Sequence, residues 1–221
     1  MKVSWLSKTG KRELIVFFAG WAMDENPVKH LKNDSYDIAV FYDYRNLMLP
    51  DDFWKEFSAY KNIFVLSWSM GVWAAGLNQA VFPMDKSVFI AFNGTGMPVD
   101  DRFGIPVKIF SMTINNMSEK GRELFFQGMF EKEDDYHRFT RPERNLEEQV
   151  DELIRLRNMT LEKPLLDLSF FKKAFIGKKD KIIPSKNQSR YWNNQTEIKM
   201  LDAGHYPFFL WDSWEKIIEN V

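Results

Sequence analysis

Three residues, far apart in the chain, have the types and order that nucleophilic acyl transfer needs. Ser69 sits in Ser67-Trp68-Ser69-Met70-Gly71, with the apolar run Asn62 to Leu66 before it and an Ala-rich segment after it. This is the strand, sharp turn and helix context in which a G-x-S-x-G serine becomes an exposed nucleophile. Only small residues fit at the flanking positions, because the incoming strand and outgoing helix pass close together. Ser67 stands where the first Gly of that pattern would be and is still small. Taken alone, S-x-S-x-G is an ordinary turn pentapeptide.

A free Ser hydroxyl is a weak nucleophile and needs a base within hydrogen-bond reach. His is the side chain whose affinity for a proton suits both taking and returning it. In α/β-hydrolases the order along the chain is Ser, then Asp or Glu, then His. Asp180 follows the apolar run Lys173 to Ile176 and precedes Pro184; His205 follows Glu197 to Leu201 and Asp202-Ala203-Gly204. Asp180 is read as the acid that fixes the His205 tautomer and steadies the imidazolium. Asp202 is the second choice, but it lies too near His205 in sequence to orient the ring. His30 and His137 follow no strand and are expected on the surface. A developing oxyanion needs two main-chain donors. They are assigned to the amide of Met70, which follows the nucleophile, and that of Trp21, which follows Ala19-Gly20 at the exit of the first apolar run.

Such a site must be held by strands that end at one edge of a sheet. Strands are predicted at Leu14 to Phe18, Asp37 to Tyr42, Asn62 to Leu66, Ser87 to Phe92, Lys173 to Ile176 and Glu197 to Leu201, with a short one at Val107 to Ser111. Most are apolar throughout, as a sheet covered on both faces requires. Amphipathic or small-residue helices are predicted between them, at Asp51 to Tyr60, Met70 to Val81, Pro184 to Asn193 and Trp211 to Asn220. Alternating strands and helices imply βαβ units, and hence an α/β fold with a mostly parallel central sheet flanked by helices. The interval from about 113 to 168 holds no convincing strand and reads as three helices, Glu119 to Phe130, Glu133 to Phe139 and Leu146 to Met159. It is taken as a helical insertion on a single domain spanning 1–221.

Composition limits the alternatives. The 221 residues carry a net charge of -1, with 45% hydrophobic and 16% aromatic residues. Without a basic excess, nucleic acid is not an expected partner. With no Cys and three His, neither a thiolate site nor a His-rich metal centre is expected. The apolar run Leu14 to Met23 is too short to cross a bilayer, so no membrane association is expected. A cytoplasmic monomer is the expectation.

The segments Phe17 to Glu25, Tyr42 to Arg45, Ser67 to Ala75, Phe92 to Pro106, Gly177 to Pro184 and Asp202 to Phe208 together resemble the BioG-type pimeloyl-[acyl-carrier protein] methyl ester esterases, over nearly the whole chain. The resemblance implies an α/β-hydrolase that removes the methyl ester from a pimeloyl group carried on acyl-carrier protein, in biotin precursor synthesis. It implies no metal and no organic cofactor. Ser69 would attack the ester, His205 would be the base, Asp180 would orient it, and the Trp21 and Met70 amides would form the oxyanion hole. The insertion would be a lid over an acyl channel. Arg138, Arg141, Arg144, Arg155 and Arg157 would be candidate docking groups for an acidic carrier, although the insertion as a whole is net acidic. Two other readings share these residues: a general small-acyl carboxylesterase or thioesterase, and an α/β-hydrolase scaffold used as a non-catalytic binding module.

Overall fold

The protein is described by a computed structural model, covering residues 1–50, 52–162 and 166–221. The strands are β1 (Lys2–Ser7), β2 (Glu13–Phe18), β3 (Tyr36–Tyr42), β4 (Asn62–Trp68), β5 (Ser87–Phe92), β6 (Phe171–Gly177) and β7 (Glu197–Leu201). They form one sheet in the order β1-β3-β2-β4-β5-β6-β7. β1 pairs antiparallel with β3, and all other pairings are parallel. The helices are α1 (Phe53–Glu56), α2 (Met70–Leu77), α3 (Val107–Asn115), α4 (Glu119–Gly128), α5 (Glu133–Arg138), α6 (Leu146–Glu162), α7 (Ser185–Trp192) and α8 (Trp214–Glu219).

The register explains why the inner strands are apolar along their length. Leu14, Ile15, Val16, Phe17 and Phe18 on β2 are all buried, as are Ile38 to Phe41 on the adjacent β3. Side chains alternate between the faces, so burial at successive positions means that both faces are covered. On one side Phe17 meets Phe208 and Trp214 edge-on, with ring centroids 5.3 and 5.5 Å apart. On the other, Phe18 stacks on Phe41 at 5.2 Å.

Two segments differ from the sequence reading. β1 was not expected: Lys-Val-Ser-Trp-Leu-Ser is only partly buried, because it lies at the edge of the sheet. The short strand predicted at Val107 to Ser111 is the start of α3. Pro106 caps that helix, and the Phe110 amide donates to its carbonyl at 2.9 Å. Phe110 is buried while Ile109 and Met112 are exposed. The apolar residues thus divide between two sides of a helix, where a strand reading takes them as one run.

A buried charge cluster fastens α6 to the sheet. Arg144 Nη1 donates to Glu152 Oε2 at 2.7 Å, and Arg144 Nη2 lies 3.5 Å from Asp43 Oδ1, just past β3. Glu152 Oε1 accepts from the Tyr44 amide at 2.7 Å. Burial pushes the Glu152 carboxyl up, and Arg144 and the Tyr44 amide offset only part of that rise. Burial also acts to raise Asp43, but Arg45, Arg144 and Lys2 outweigh it and hold that carboxyl well below the usual range.

This cluster corrects the docking assignment of Arg144, whose side chain is only 4% exposed. Residues 139–145 are not helical, so proximity in sequence does not place Arg138, Arg141 and Arg144 on one surface. Arg141 is half-buried, bonded to Glu123 and stacked over Tyr136 at 4.4 Å. Arg138 and Arg155 are exposed and pair locally with Asp135 and Asp151, and Arg157 is half-buried.

Removing one member of a buried pair strands the other. Arg144→Met is therefore expected to lower stability by about 3–5 kcal/mol, or roughly 6–20 °C in Tm for a chain of this size. The double variant Arg144→Met/Glu152→Leu should recover most of that loss in thermal denaturation. An unchanged Tm in the single variant would contradict the cluster's structural role.

Candidate active site

β4 delivers Ser69 to the carboxyl edge of the sheet. Ser69 has φ 57° and ψ −123°, a left-handed conformation that side chains rarely adopt. Its neighbours hold it there. The Ser69 amide donates to the Phe92 carbonyl at 3.0 Å. At Gly71 a Cβ would lie 2.2 Å from the Phe18 carbonyl oxygen, so α2 packs against the end of β2 only with glycine there. A Cβ at Gly94 would lie 2.4 Å from the Ser69 carbonyl oxygen. Ser67 is tolerated in place of the usual first Gly because its Oγ turns into the sheet and donates to the Ile90 carbonyl at 3.1 Å.

His205 comes from the loop after β7. Its Nε2 lies 2.9 Å from Ser69 Oγ, and its Nδ1 lies 2.8 Å from Asp180 Oδ2. The tautomer that fits both contacts carries its proton on Nδ1, donates it to Asp180, and leaves Nε2 to accept from the Ser69 hydroxyl. The main chain of His205 is clamped as well. Its carbonyl accepts from the Trp68 indole and from Asn93 Nδ2, each at 2.8 Å. Asn93 Oδ1 in turn accepts from the Gly177 amide at 2.6 Å, which ties the loop bearing His205 to the strand that leads to Asp180.

Asp180 lies in the turn between β6 and α7 with its side chain fully buried. Oδ1 accepts from the Ile182 and Ile183 amides at 2.8 and 3.0 Å. Oδ2 accepts from His205 and from Gln188 Nε2, the latter at 2.8 Å. A carboxylate with four donors is held in place where water is excluded. Asp202, the second-choice acid, is 74% exposed and paired with Lys179 at 3.0 Å. His30 and His137 lie on the surface.

The Trp21 and Met70 amides donate to no protein group among the described residues. Both residues line a slot of about 70 Å³ beside Ser69, along with Ile105, Ile109, Phe110, Thr113, Phe125, Leu153, Lys181 and Ile182. The loop carrying Trp21 is braced by α6. Its indole donates to the Gln149 carbonyl at 2.9 Å, and Gln149 Nε2 donates to the Ala22 carbonyl at 3.0 Å. Asn93, Gln149 and Gln188 were not found from the sequence, because no motif marks a lone amide whose value lies in which carbonyl or carboxylate it reaches. Among the described residues no group of His, Asp and Glu is arranged to hold a metal, and no helix is long and apolar enough to cross a membrane.

This arrangement can carry out acyl transfer: a hydroxyl, a base, an anchored acid and free amides beside an apolar slot. Comparison with known proteins points the same way. BioG from Haemophilus influenzae superposes with a TM-score of 0.86 at 32% identity, covering 98% of this chain and 99% of that one. An esterase from Thermogutta terrifontis shares the fold alone, with a TM-score of 0.63 at 13% identity over 99% of this chain and 90% of that one. A malonyl-[acyl-carrier protein] O-methyltransferase of Bacteroides fragilis is 38% identical over 201 residues, covering 89% of this chain; the chain spans 40% of that relative's length. The family model described as pimeloyl-ACP methyl esterase BioG matches residues 1–217, and the chain, an α/β-hydrolase, belongs to that family.

Proposed function

We propose that the protein is a serine carboxylesterase that removes the methyl ester from pimeloyl-[acyl-carrier protein] in biotin precursor synthesis. The observation that carries this reading is the hydrogen-bonded chain from Ser69 through His205 to Asp180, opening on the slot between Trp21 and Ile182.

Ser69 Oγ attacks the ester carbonyl as His205 Nε2 takes its proton. The Trp21 and Met70 amides hold the tetrahedral oxyanion. Collapse breaks the bond to the methoxy oxygen, and His205 returns the proton, so methanol leaves and an acyl-serine remains. A water molecule then gives a proton to His205 and adds to the acyl carbonyl. Collapse returns Ser69 and frees the carboxylate. Asp180 holds the ring and stabilises the imidazolium that forms twice. No metal or organic cofactor takes part in these steps.

The slot supports an acyl substrate with an apolar body. Its walls are aliphatic and aromatic except for Ser69, Thr113 and Lys181. Helices α3 to α6, joining β5 to β6, act as the lid: Ile109, Phe110, Thr113, Phe125 and Leu153 reach the slot from α3, α4 and α6. The Bacteroides relative's name supports the methyl ester as the reacting group. A methyl placed on a carrier-bound acyl group must later be removed, and esterase chemistry does that. The partner is then a soluble, acidic acyl-carrier protein in the cytoplasm. Of the proposed docking arginines, Arg138 and Arg155 are exposed and Arg141 and Arg157 are half-buried.

Hydrolysis of pimeloyl-carrier methyl ester and of p-nitrophenyl butyrate tests this reading. Ser69→Ala should lower kcat on both by at least about a thousandfold while remaining folded. The wild type should favour the carrier substrate by roughly a hundredfold or more in kcat/KM, because binding energy from the remote carrier is used at the transition state. Equal or better turnover of the small ester would make it a general esterase. No turnover of either substrate by the wild type would favour a binding module.

A further inference from the structure

Gln188 is wholly buried on α7, and its amide is placed in an unusual way. Nε2 meets two acceptors, Asp180 Oδ2 and the Ile183 carbonyl, each at 2.8 Å. That fixes the amide's orientation, since the flipped form would set its oxygen against both of them. The cost falls on Oε1, which is buried with no partner among the described residues. A buried acceptor left unpaired opposes folding, whereas an apolar side chain of the same shape would pack there without that penalty. Packing alone therefore does not account for a glutamine at this position.

We propose that Gln188 is a positioning residue of the hydrolytic site, supplying the donor that holds Asp180 Oδ2 in line with His205 Nδ1. The proposal rests on the reading of Ser69, His205 and Asp180 given above. Oδ1 is held by the Ile182 and Ile183 amides, but among the described residues Oδ2 has only His205 and Gln188. Without Gln188 the carboxylate can rotate, and its charge on Oδ2 falls on His205 alone. A less shared carboxylate attracts the His205 proton more strongly. The imidazolium then persists to higher pH, and the free base that activates Ser69 becomes scarcer on the acid side.

Other charges around the site do not replace this contact. α7 carries Lys186 and Arg190, the facing loop Asp101 and Arg102, and the Asp180 loop Lys178, Lys179 and Lys181. Lys179 is engaged with Glu131 at 2.8 Å and Asp202 at 3.0 Å. None of these groups hydrogen-bonds to Gln188.

The test uses the full chain and Gln188→Met, which keeps the volume and removes the donor. Two quantities are followed across pH: kcat/KM on the carrier methyl ester, and the rate at which a fluorophosphonate labels Ser69. In the variant the acid limb of both profiles should move up by roughly half to one pH unit, with kcat near the optimum down roughly tenfold and KM unchanged. Gln188→Asn, whose shorter amide does not reach Asp180, should show the same shift and serves if the Met variant does not fold. Profiles scaled down without moving along the pH axis would overturn the proposal, because a purely structural residue changes only the amount of active enzyme. A wild type that neither hydrolyses ester nor labels at Ser69 would instead overturn the triad reading, and the proposal with it.

Discussion

The site depends on one close approach of backbones. Ser69 can take its left-handed turn only because α2 leaves β4 alongside the last residues of β2, where the Phe18 and Ala19 carbonyls would lie 2.2 and 2.6 Å from any Cβ at position 71. Gly71 removes that clash on one side of the turn and Gly94 removes one on the other. A strained φ at a non-glycine residue persists only where its surroundings over-determine it. Here the surroundings are the three central strands, β2, β4 and β5, which are buried through their inner positions. The stiffness of the sheet is what points the Ser69 hydroxyl outward.

The other two members of the site are held by a different means. Asp180 and His205 lie in loops, and loops are stiff only where their polar groups are satisfied. Asn93 joins the two loops by accepting from Gly177 and donating to the Gly204 and His205 carbonyls. Trp68, next to Ser69, holds the same His205 carbonyl. The Ser69 turn, the Asp180 loop and the His205 loop are thus fixed to one another through side-chain amides and an indole. α6 extends the pattern to the Trp21 loop through Gln149 and, by way of Glu152 and Arg144, to Asp43 and Tyr44 just past β3.

Much of this was legible in the sequence, for identifiable reasons. The inner strands are long apolar runs because both of their faces are covered. Ser69 and Asp180 each follow such a run, and His205 follows the edge strand β7, in the order Ser, Asp, His. The edge strand β1 gave no such signal, since a half-buried strand has less apolar surface to conceal. α3 misled because Val107, Ile109 and Phe110 look like a strand until Pro106 is recognised as a cap. Arg144 misled because charge is read from composition, whereas its burial depends on Glu152 eight positions further along and Asp43 on another element. The roles of Gln188 and of Asn93, which lies in one of the segments that carry the family resemblance, could not be read, because an amide's role is set by its partners in space.

The central claim is that Ser69 is the nucleophile, activated by its fold. Treatment of the native protein with a fluorophosphonate, followed by peptide mapping in a mass spectrometer, tests it most directly. The account predicts a single adduct, on Ser69, that disappears when the protein is unfolded before treatment. An adduct on a different residue, or none on the folded protein, would contradict it.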